Sequence, residues 1–225
     1  MRITFPIVGL LLFICTACNN SKSTDELLAK VWESDQSIRQ QMVELTKAVT
    51  TENRTDLIDS LISTSEQVER IDAENMAIVD SLLLNGLPQG LSAQSYKTIW
   101  IVIDHSTLEK QVQYLPLIEK MATAGLIAPD EYPILFDRVA MKQNRPQRYG
   151  SQSVQFGGPD AMQLHIWPVE NPAQLDSLRS EVGMSPIAEY LKTLTKTTGI
   201  EAKFDPAMTV EELNKIRERE RESYE

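Results

Sequence analysis

The sequence has few of the residue types that build metal and thiol sites. Its 225 residues include only two histidines and two cysteines, and 22 lysines and arginines stand against 32 aspartates and glutamates. The resulting net charge of −10 argues against nucleic-acid binding, which needs a basic surface. The sequence therefore predicts no nucleic-acid partner, no bound metal and no cofactor.

The apolar run near the N-terminus, Ile7–Ile14, is only eight residues long, whereas a membrane-spanning helix needs about 20. With Arg2 before it, this run is typical of a secretory signal. The following Cys15-Thr16-Ala17-Cys18 resembles the lipobox of bacterial lipoproteins, although Cys15 stands where that motif prefers leucine. The resemblance implies that residues 1–17 are a signal peptide, cleaved before Cys18, and that Cys18 is lipidated. The alternative is an ordinary secreted protein cleaved after Ala17.

A lipidated Cys18 would leave no free thiol in the mature chain, which excludes thiol catalysis, disulfides and cysteine-ligated zinc. Several acyl chains, palmitate among them, anchor a protein stably where one chain does not. Residues 18–24 are then the lipidated cysteine and a polar tether. Because the acidic run that exports some such lipoproteins is absent, we expect a membrane protein, lipid-anchored on the outer membrane and facing the periplasm.

Apolar residues at spacings of three and four predict a long amphipathic helix near residues 25–49, which makes residues 25–52 an N-terminal helical segment. After a polar break at residues 50–55, the same spacing from Leu57 predicts a second long helix that ends at about Gly86. Thr24 is the expected N-cap of the first, and the two should form an antiparallel hairpin. The same periodicity predicts three more helices, near 92–103, 107–124 and 129–143. Pro116 is expected to kink the second of these three.

The pattern changes after Asn144, where two alternating segments flank a glycine-rich turn. They predict a β-hairpin near 148–167. Two short helices should follow, near 172–182 and 185–197, and then a linker and a charged C-terminal helix over 198–225, opened by a capping box at Thr209. The predicted fold is mainly α: a helical bundle, residues 53–197, with one small hairpin that makes the C-terminal half α+β.

Short motifs in a fixed order between Asp72 and Leu191 resemble an uncharacterised bacterial lipoprotein family that carries a domain of unknown function. The motifs are Ile71-Asp72-x-x-Asn75, Gly86-x-Pro88, Trp100-x₄-His105, Tyr114-Leu115-Pro116-Leu117, Asp137-Arg138-Val139, Pro146-Gln147-Arg148-Tyr149-Gly150-Ser151-Gln152, Asp176-x-x-Arg179-x-x-Val182-Gly183 and Tyr190-Leu191. Asp104 and Ser151 depart from the family, which usually has glutamine and threonine there. The resemblance implies no activity, because the family has none assigned.

The polar residues of these motifs form the candidate site: Asp72, Asn75, His105, Asp137, Arg138, Gln147, Tyr149 and Gln152. Asp72 and Asn75 share one helix face, and a buried carboxylate there needs a partner. Arg138 is the natural candidate, since its planar fork can hold a carboxylate by two hydrogen bonds. Gly150 could supply a bulge that brings Tyr149 and Gln152 to one side.

Three interpretations of this set remain open. The residues can form a structural network, line a ligand-binding pocket, or form a catalytic site with His105 as acid or base and Asp72 or Asp137 orienting it. We expect no functional role for His165.

The preferred hypothesis for function is a non-enzymatic binding or interaction module of the cell envelope, with a small molecule or an envelope protein as partner. The first alternative is a hydrolase-like enzyme on a small envelope substrate, with His105 and a carboxylate as the catalytic pair. The second is an envelope scaffold that uses the N-terminal helical hairpin. A scaffold predicts a large exposed apolar patch on the first two helices.

Overall fold

The computed structural model describes residues 13–157 and 162–224, and within them it contains eight α-helices and one three-stranded sheet. Most of the described residues are helical, and the sheet lies in the C-terminal half. The predicted fold class is therefore confirmed. The chain divides into two compact units, the first ending at His105 and the second beginning at Ser106. This division differs from the predicted domain of residues 53–197.

The N-terminal unit consists of three helices: α1 (Phe13–Thr51), α2 (Ile58–Leu83, after a 3₁₀ turn at Thr55–Leu57) and α3 (Ala93–His105). The contacts of Ser34 with Asn75 and of Arg39 with Asp72 run in opposite chain directions, so α1 and α2 are antiparallel, as predicted. Ser92 caps α3 by accepting a hydrogen bond from the Ser95 amide at 3.2 Å.

Helix α1 buries a stripe at spacings of three and four: Leu28, Val31, Asp35 and Ile38. The periodicity is as predicted, although Leu27, next to this stripe, is 38% exposed. The helix also begins before Thr24, so this residue is not its N-cap. The backbone of the predicted tether, residues 18–24, is helical. The structure does not describe residues 1–12, on which most of the signal-peptide prediction rests. It also does not describe the side chain of Cys18, the predicted lipidation site.

Exposed apolar side chains occur on both helices of the hairpin. Val43 is 63% exposed on α1, and Ile58 and Ile62 are 42% and 55% exposed on α2. These three residues are compatible with the scaffold alternative, whose large continuous patch stays a prediction. Among the described residues, no helix is both long enough and apolar enough to cross a bilayer.

The C-terminal unit begins with two helices that pack on each other, α4 (Leu108–Thr123) and α5 (Glu131–Lys142). Thr107 caps α4, and Pro116 lies inside it. Strands β1 (Ser153–Phe156) and β2 (Gln163–Ile166) are antiparallel, with Val154 opposite His165. The predicted hairpin is confirmed, but its first strand is shorter than predicted because residues 148–152 form a loop. This loop contains most of the Pro146–Gln152 motif.

Helices α6 (Leu175–Glu181) and α7 (Ile187–Thr198) confirm the two predicted short helices, and α8 (Val210–Tyr224) follows. The predicted linker contains a third strand, β3 (Glu201–Lys203), which pairs in parallel with β2. The capping box is confirmed: the Glu212 amide donates to Thr209 Oγ1 at 3.2 Å. Leu213, fully buried, packs in a cluster with Phe156 and Trp167, so the start of α8 belongs to the core of this unit.

Candidate functional site

Four polar side chains meet where the three helices of the N-terminal unit pack. Asp35 on α1 is 1% exposed, and its Oδ1 lies 2.8 Å from Nδ1 of His105 at the end of α3. Arg39 donates through Nε to Asp35 Oδ1 at 3.2 Å and through Nη2 to Asp72 Oδ1 on α2. We call Asp35, Arg39, Asp72 and His105 the N-terminal cluster. Because a carboxylate only accepts hydrogen bonds, His105 donates from Nδ1.

The two carboxylates of this cluster have pKa values shifted in opposite directions. Burial raises the pKa of Asp35, but the hydrogen bond from His105 and the charges of His105 and Arg39 outweigh it, and the net pKa is lowered. Burial also raises the pKa of Asp72, and here it prevails over the attraction of Arg39. Titratable neighbours whose pKa values are pushed apart are a feature of acid–base sites.

Asn75 lies one helical turn after Asp72 and is 4% exposed. Its Oδ1 accepts a hydrogen bond from Ser34 Oγ at 3.2 Å, while its Nδ2 is buried without a hydrogen-bond partner. Ser34 Oγ is also 3.0 Å from the carbonyl oxygen of Val31. A serine hydroxyl has one hydrogen and cannot donate to both, so the Asn75 amide is incompletely satisfied.

Two predicted partners in this region are wrong. His105 is oriented by Asp35, not by Asp72 or Asp137, and the partner of Asp72 is Arg39, not Arg138. The missed residue had a signal in the sequence: Asp35 is a charged residue on the inward stripe between Val31 and Ile38. A carboxylate at such a position needs a partner, which the spacing alone cannot identify.

In the C-terminal unit, Asp137 is fully buried and accepts hydrogen bonds from one loop. Its Oδ1 accepts from the amides of Arg148 and Tyr149 at 2.8 and 3.1 Å, and its Oδ2 from the Ser151 amide and hydroxyl at 3.0 and 2.9 Å. Burial raises the pKa of Asp137 in spite of these donors. Asp137 therefore holds the backbone of residues 148–151, which is a structural role.

The two predicted glutamines also bind backbone. Gln147 is fully buried; its Nε2 donates to the carbonyls of Gln152 and Trp167 at 2.9 and 2.6 Å, and its Oε1 accepts from the Gln152 amide at 2.9 Å. Gln152 Nε2 donates to the Ile134 carbonyl at 3.3 Å. These contacts support the structural-network interpretation for both residues.

Tyr149 is buried with its ring edge-on to Phe136, at a centroid distance of 6.2 Å. Gly150 has φ +66, a left-handed conformation that turns the loop, so a glycine turn stands where we expected a β-bulge. His165, for which no role was expected, lies edge-on to Phe156 at 5.0 Å, and burial lowers its pKa.

A cavity of about 460 Å³ lies beside this loop. Its walls include Arg138, Ser151, Gln152, Arg179 and Tyr190; we call it the C-terminal pocket. Arg138 and Gln152 were candidates from the sequence. Arg179 and Tyr190 belong to the quoted motifs, but they are not among the eight candidate residues.

Arg179 is 2% exposed and contacts neutral groups. Its Nε donates to the Ser185 carbonyl at 2.6 Å and its Nη1 to the Tyr149 carbonyl at 2.7 Å, and its Cζ lies 4.9 Å from the Tyr190 ring centroid. Within the described residues it forms no ion pair with a carboxylate. Burial lowers the pKa of Arg179, because desolvation disfavours the charged form.

The eight candidate residues are thus divided between the two units. Asp72, Asn75 and His105 belong to the N-terminal unit, and Asp137, Arg138, Gln147, Tyr149 and Gln152 to the C-terminal unit. Each unit brings its own members together with a residue that the candidate set lacked, Asp35 in the first and Arg179 in the second.

Comparison with known proteins gives one match. No curated protein and no solved structure matches the chain. A family model described as "Family of unknown function (DUF6624)" matches residues 22–203, which is most of the sequence and spans both units. The chain therefore belongs to this family of unknown function, DUF6624.

Proposed function

We propose that this protein is a lipid-anchored binding module of the cell envelope, which takes a small anionic ligand in the C-terminal pocket. One observation carries the ligand class: Arg179 is a buried cation in the pocket wall, and no carboxylate of the described residues forms an ion pair with it. A buried charge is costly unless it is paired. An anionic group of a ligand would supply that pairing.

The donor geometry of Arg179 suits a carboxylate or a phosphate. Its Nε and Nη1 are engaged by backbone carbonyls, while its Nη2 makes no hydrogen bond to a described residue. A guanidinium held by such contacts keeps Nη2 as its remaining charged donor, which can serve one oxygen of a carboxylate or a phosphate. Arg138 adds a second positive charge to the same wall.

The rest of the lining favours a small ligand that is partly apolar. Ile134, Met184 and Tyr190 contribute apolar surface, and Gln152 and Ser185 contribute polar atoms. The lining also includes one carboxylate, Asp130, against the two arginines. The volume of about 460 Å³ falls in the range of ligand pockets, about 300–1,000 Å³. An organic acid or a phosphorylated metabolite would fit this combination.

The pocket is tested by thermal unfolding of the purified protein with citrate or inorganic phosphate as probes. A ligand that binds only the native state raises the melting temperature in a saturable manner. We expect the rise in the wild type and a much smaller one in Arg138→Gln, which removes a pocket charge without touching the backbone contacts of Arg179.

The matched control is Arg145→Gln, an exposed arginine outside the pocket whose guanidinium contacts Gln143. It changes the net charge equally and should keep the wild-type rise. The pocket proposal is wrong if neither probe raises the melting temperature of the wild type. It is also wrong if the melting temperatures of both variants rise equally. A response to one probe only would distinguish carboxylate from phosphate.

The lipid anchor rests on the Cys15–Cys18 motif after the short apolar run. The net charge of −10 supports it indirectly, since an acidic surface is repelled by anionic head groups and acyl chains would have to hold the protein at the membrane. Cys18→Ser should move the protein from the membrane fraction to the soluble fraction. Retention in the membrane with unchanged gel mobility would contradict the anchor.

A second candidate function is hydrolase-like acid–base chemistry at His105, and the 2.8 Å contact with buried Asp35 favours it. A carboxylate on Nδ1 fixes the tautomer and leaves Nε2 as a proton acceptor, the arrangement of a general base. The imidazole is 19% exposed, so a small substrate can reach it.

This candidate is tested with p-nitrophenyl acetate as a generic ester substrate. His105→Ala should lower the rate by about 10²-fold or more if the imidazole acts as base. His165→Ala removes the other histidine and should leave the rate unchanged. Equal rates for the two variants would exclude His105 as the base in ester hydrolysis.

A further inference from the structure

We propose that the N-terminal cluster binds one divalent transition-metal ion, for which Zn²⁺ is the probe. Asp35, Asp72 and His105 come from three different helices, and each offers a ligand atom within 4.8 Å of the other two. The prediction of no metal rested on the small number of histidines and cysteines. It did not consider the carboxylates that the fold brings next to a histidine. This proposal is independent of the C-terminal pocket.

The donor set determines the class of ion. One imidazole nitrogen with two carboxylate oxygens suits zinc and its neighbours, whereas magnesium and calcium favour oxygen ligands alone. Three protein ligands also leave a position for water, as in catalytic zinc sites. Zinc lies about 2.0–2.2 Å from each ligand, so small side-chain rotations bring these three atoms around one ion.

Arg39 indicates that a cation fits between the two carboxylates. Its guanidinium bridges Asp35 and Asp72, and its side chain is 28% exposed, so it can turn outward. A metal ion would replace Arg39 as the counter-charge of both aspartates. His105 would then bind through Nδ1, with its hydrogen on Nε2.

Asn75 supplies an independent observation. Its amide lies in the α1–α2 interface, one turn from Asp72, and one of its two polar atoms is buried without a partner. The assignment of amide oxygen and nitrogen is interchangeable. If the amide is turned, Nδ2 donates to Ser34 Oγ, the Ser34 hydrogen serves the Val31 carbonyl, and the unpartnered atom becomes Oδ1. An unpartnered buried oxygen one helical turn from Asp72 requires a cation or a donor, such as a metal-bound water.

The test is calorimetric titration of Zn²⁺ into the purified chain carrying Cys15→Ser and Cys18→Ser, so that no thiol competes. We expect one saturable site per chain and weaker binding of Mg²⁺. His105→Ala and Asp72→Asn should each weaken Zn²⁺ binding more than about tenfold, while His165→Ala should not. Arg39→Gln removes the competing guanidinium and should tighten binding.

Asp72 and His105 are partly exposed, so their variants are expected to fold, and circular dichroism checks this. Arg39→Gln keeps the test decisive even if a ligand variant unfolds, because this variant is expected to bind Zn²⁺ more tightly than the wild type. The proposal is overturned if the wild type and Arg39→Gln both lack a one-to-one site, or if His105→Ala binds Zn²⁺ as the wild type does. If only His165→Ala lost Zn²⁺ binding, the zinc would bind elsewhere, and this result would also overturn the proposal. None of these results bears on citrate or phosphate binding in the C-terminal pocket.

Discussion

Replacing Asp137 by asparagine should destabilise the C-terminal unit by about 2 kcal/mol, as the following contacts indicate. The carboxylate is fully buried and accepts from three backbone amides and one hydroxyl of residues 148–151. Asparagine keeps one oxygen, which can still accept from the Arg148 and Tyr149 amides. Its NH₂ group then faces the Ser151 amide, and that N–H loses its acceptor.

The magnitude follows from two costs and two gains. An unsatisfied buried N–H costs about 1–3 kcal/mol, and two charge-assisted hydrogen bonds become neutral ones at a loss of about 1 kcal/mol each. Because burial raises the pKa of Asp137, a neutral amide recovers part of the cost of burying a charge. The Ser151 hydroxyl can rotate to accept from the new NH₂ group and recovers a little more.

The control is Ser151→Ala, which removes the hydroxyl that donates to Asp137 and accepts from Gln152 Nε2 at 3.2 Å, and it should cost about 1 kcal/mol. Urea unfolding measures both variants, as a shift in midpoint at unchanged slope. Hydrogen exchange adds a local measure, since the Ser151 amide should lose protection in Asp137→Asn and keep it in Ser151→Ala. A stability of Asp137→Asn within about 0.5 kcal/mol of the wild type, near the ordinary effect of surface substitutions, would refute the assignment of Asp137 as the anchor of this loop.

Three further predictions concern other parts of the same two units. Gly150→Ala should cost about 1–2 kcal/mol for its left-handed φ of +66, since the added methyl group would meet the Leu175 and Ile187 side chains only at ordinary contact distances of 3.4–3.5 Å. Thermal unfolding should show a similar loss for Gly125→Ala, which has a φ of +68 and open space around it. Gln147→Leu should cost about 3 kcal/mol in urea unfolding, because the Gln152 N–H and the Trp167 carbonyl lose their partner and the Gln152 carbonyl keeps only the Trp167 amide. Gln155→Leu, on an exposed strand position, should stay near the wild type. The lowered pKa of Asp35 contributes stability above its ordinary pKa that is lost as pH falls through the lowered value, so the stability gap between the wild type and Asp35→Asn should shrink as pH falls below the ordinary value of 3.8. Asp72, with a raised pKa, should show the opposite trend in Asp72→Asn, the wild type losing relative stability as pH rises, and matching trends would contradict the assignment.

Much of the secondary structure could be predicted from local patterns. The three- and four-residue spacing of α1 and α2, the capping box at Thr209 and the alternation around the hairpin all appear in the structure. Strand β3 was missed because three residues, Glu201–Lys203, are too few to show a period. Its pairing with β2 depends on where α7 ends in the folded unit.

The sequence by itself determined the helical class, the hairpin and the faces that are buried, because side-chain periodicity reports directly which side of an element avoids water. Only the tertiary structure decided which polar groups meet. Asp35 and His105 are 70 residues apart, Arg39 pairs with Asp72 where Arg138 was expected, and Asp137 binds backbone where a side-chain partner was sought. Hydrogen bonds and ion pairs act over a few ångströms, and separation along the chain says nothing about such distances until the helices are packed.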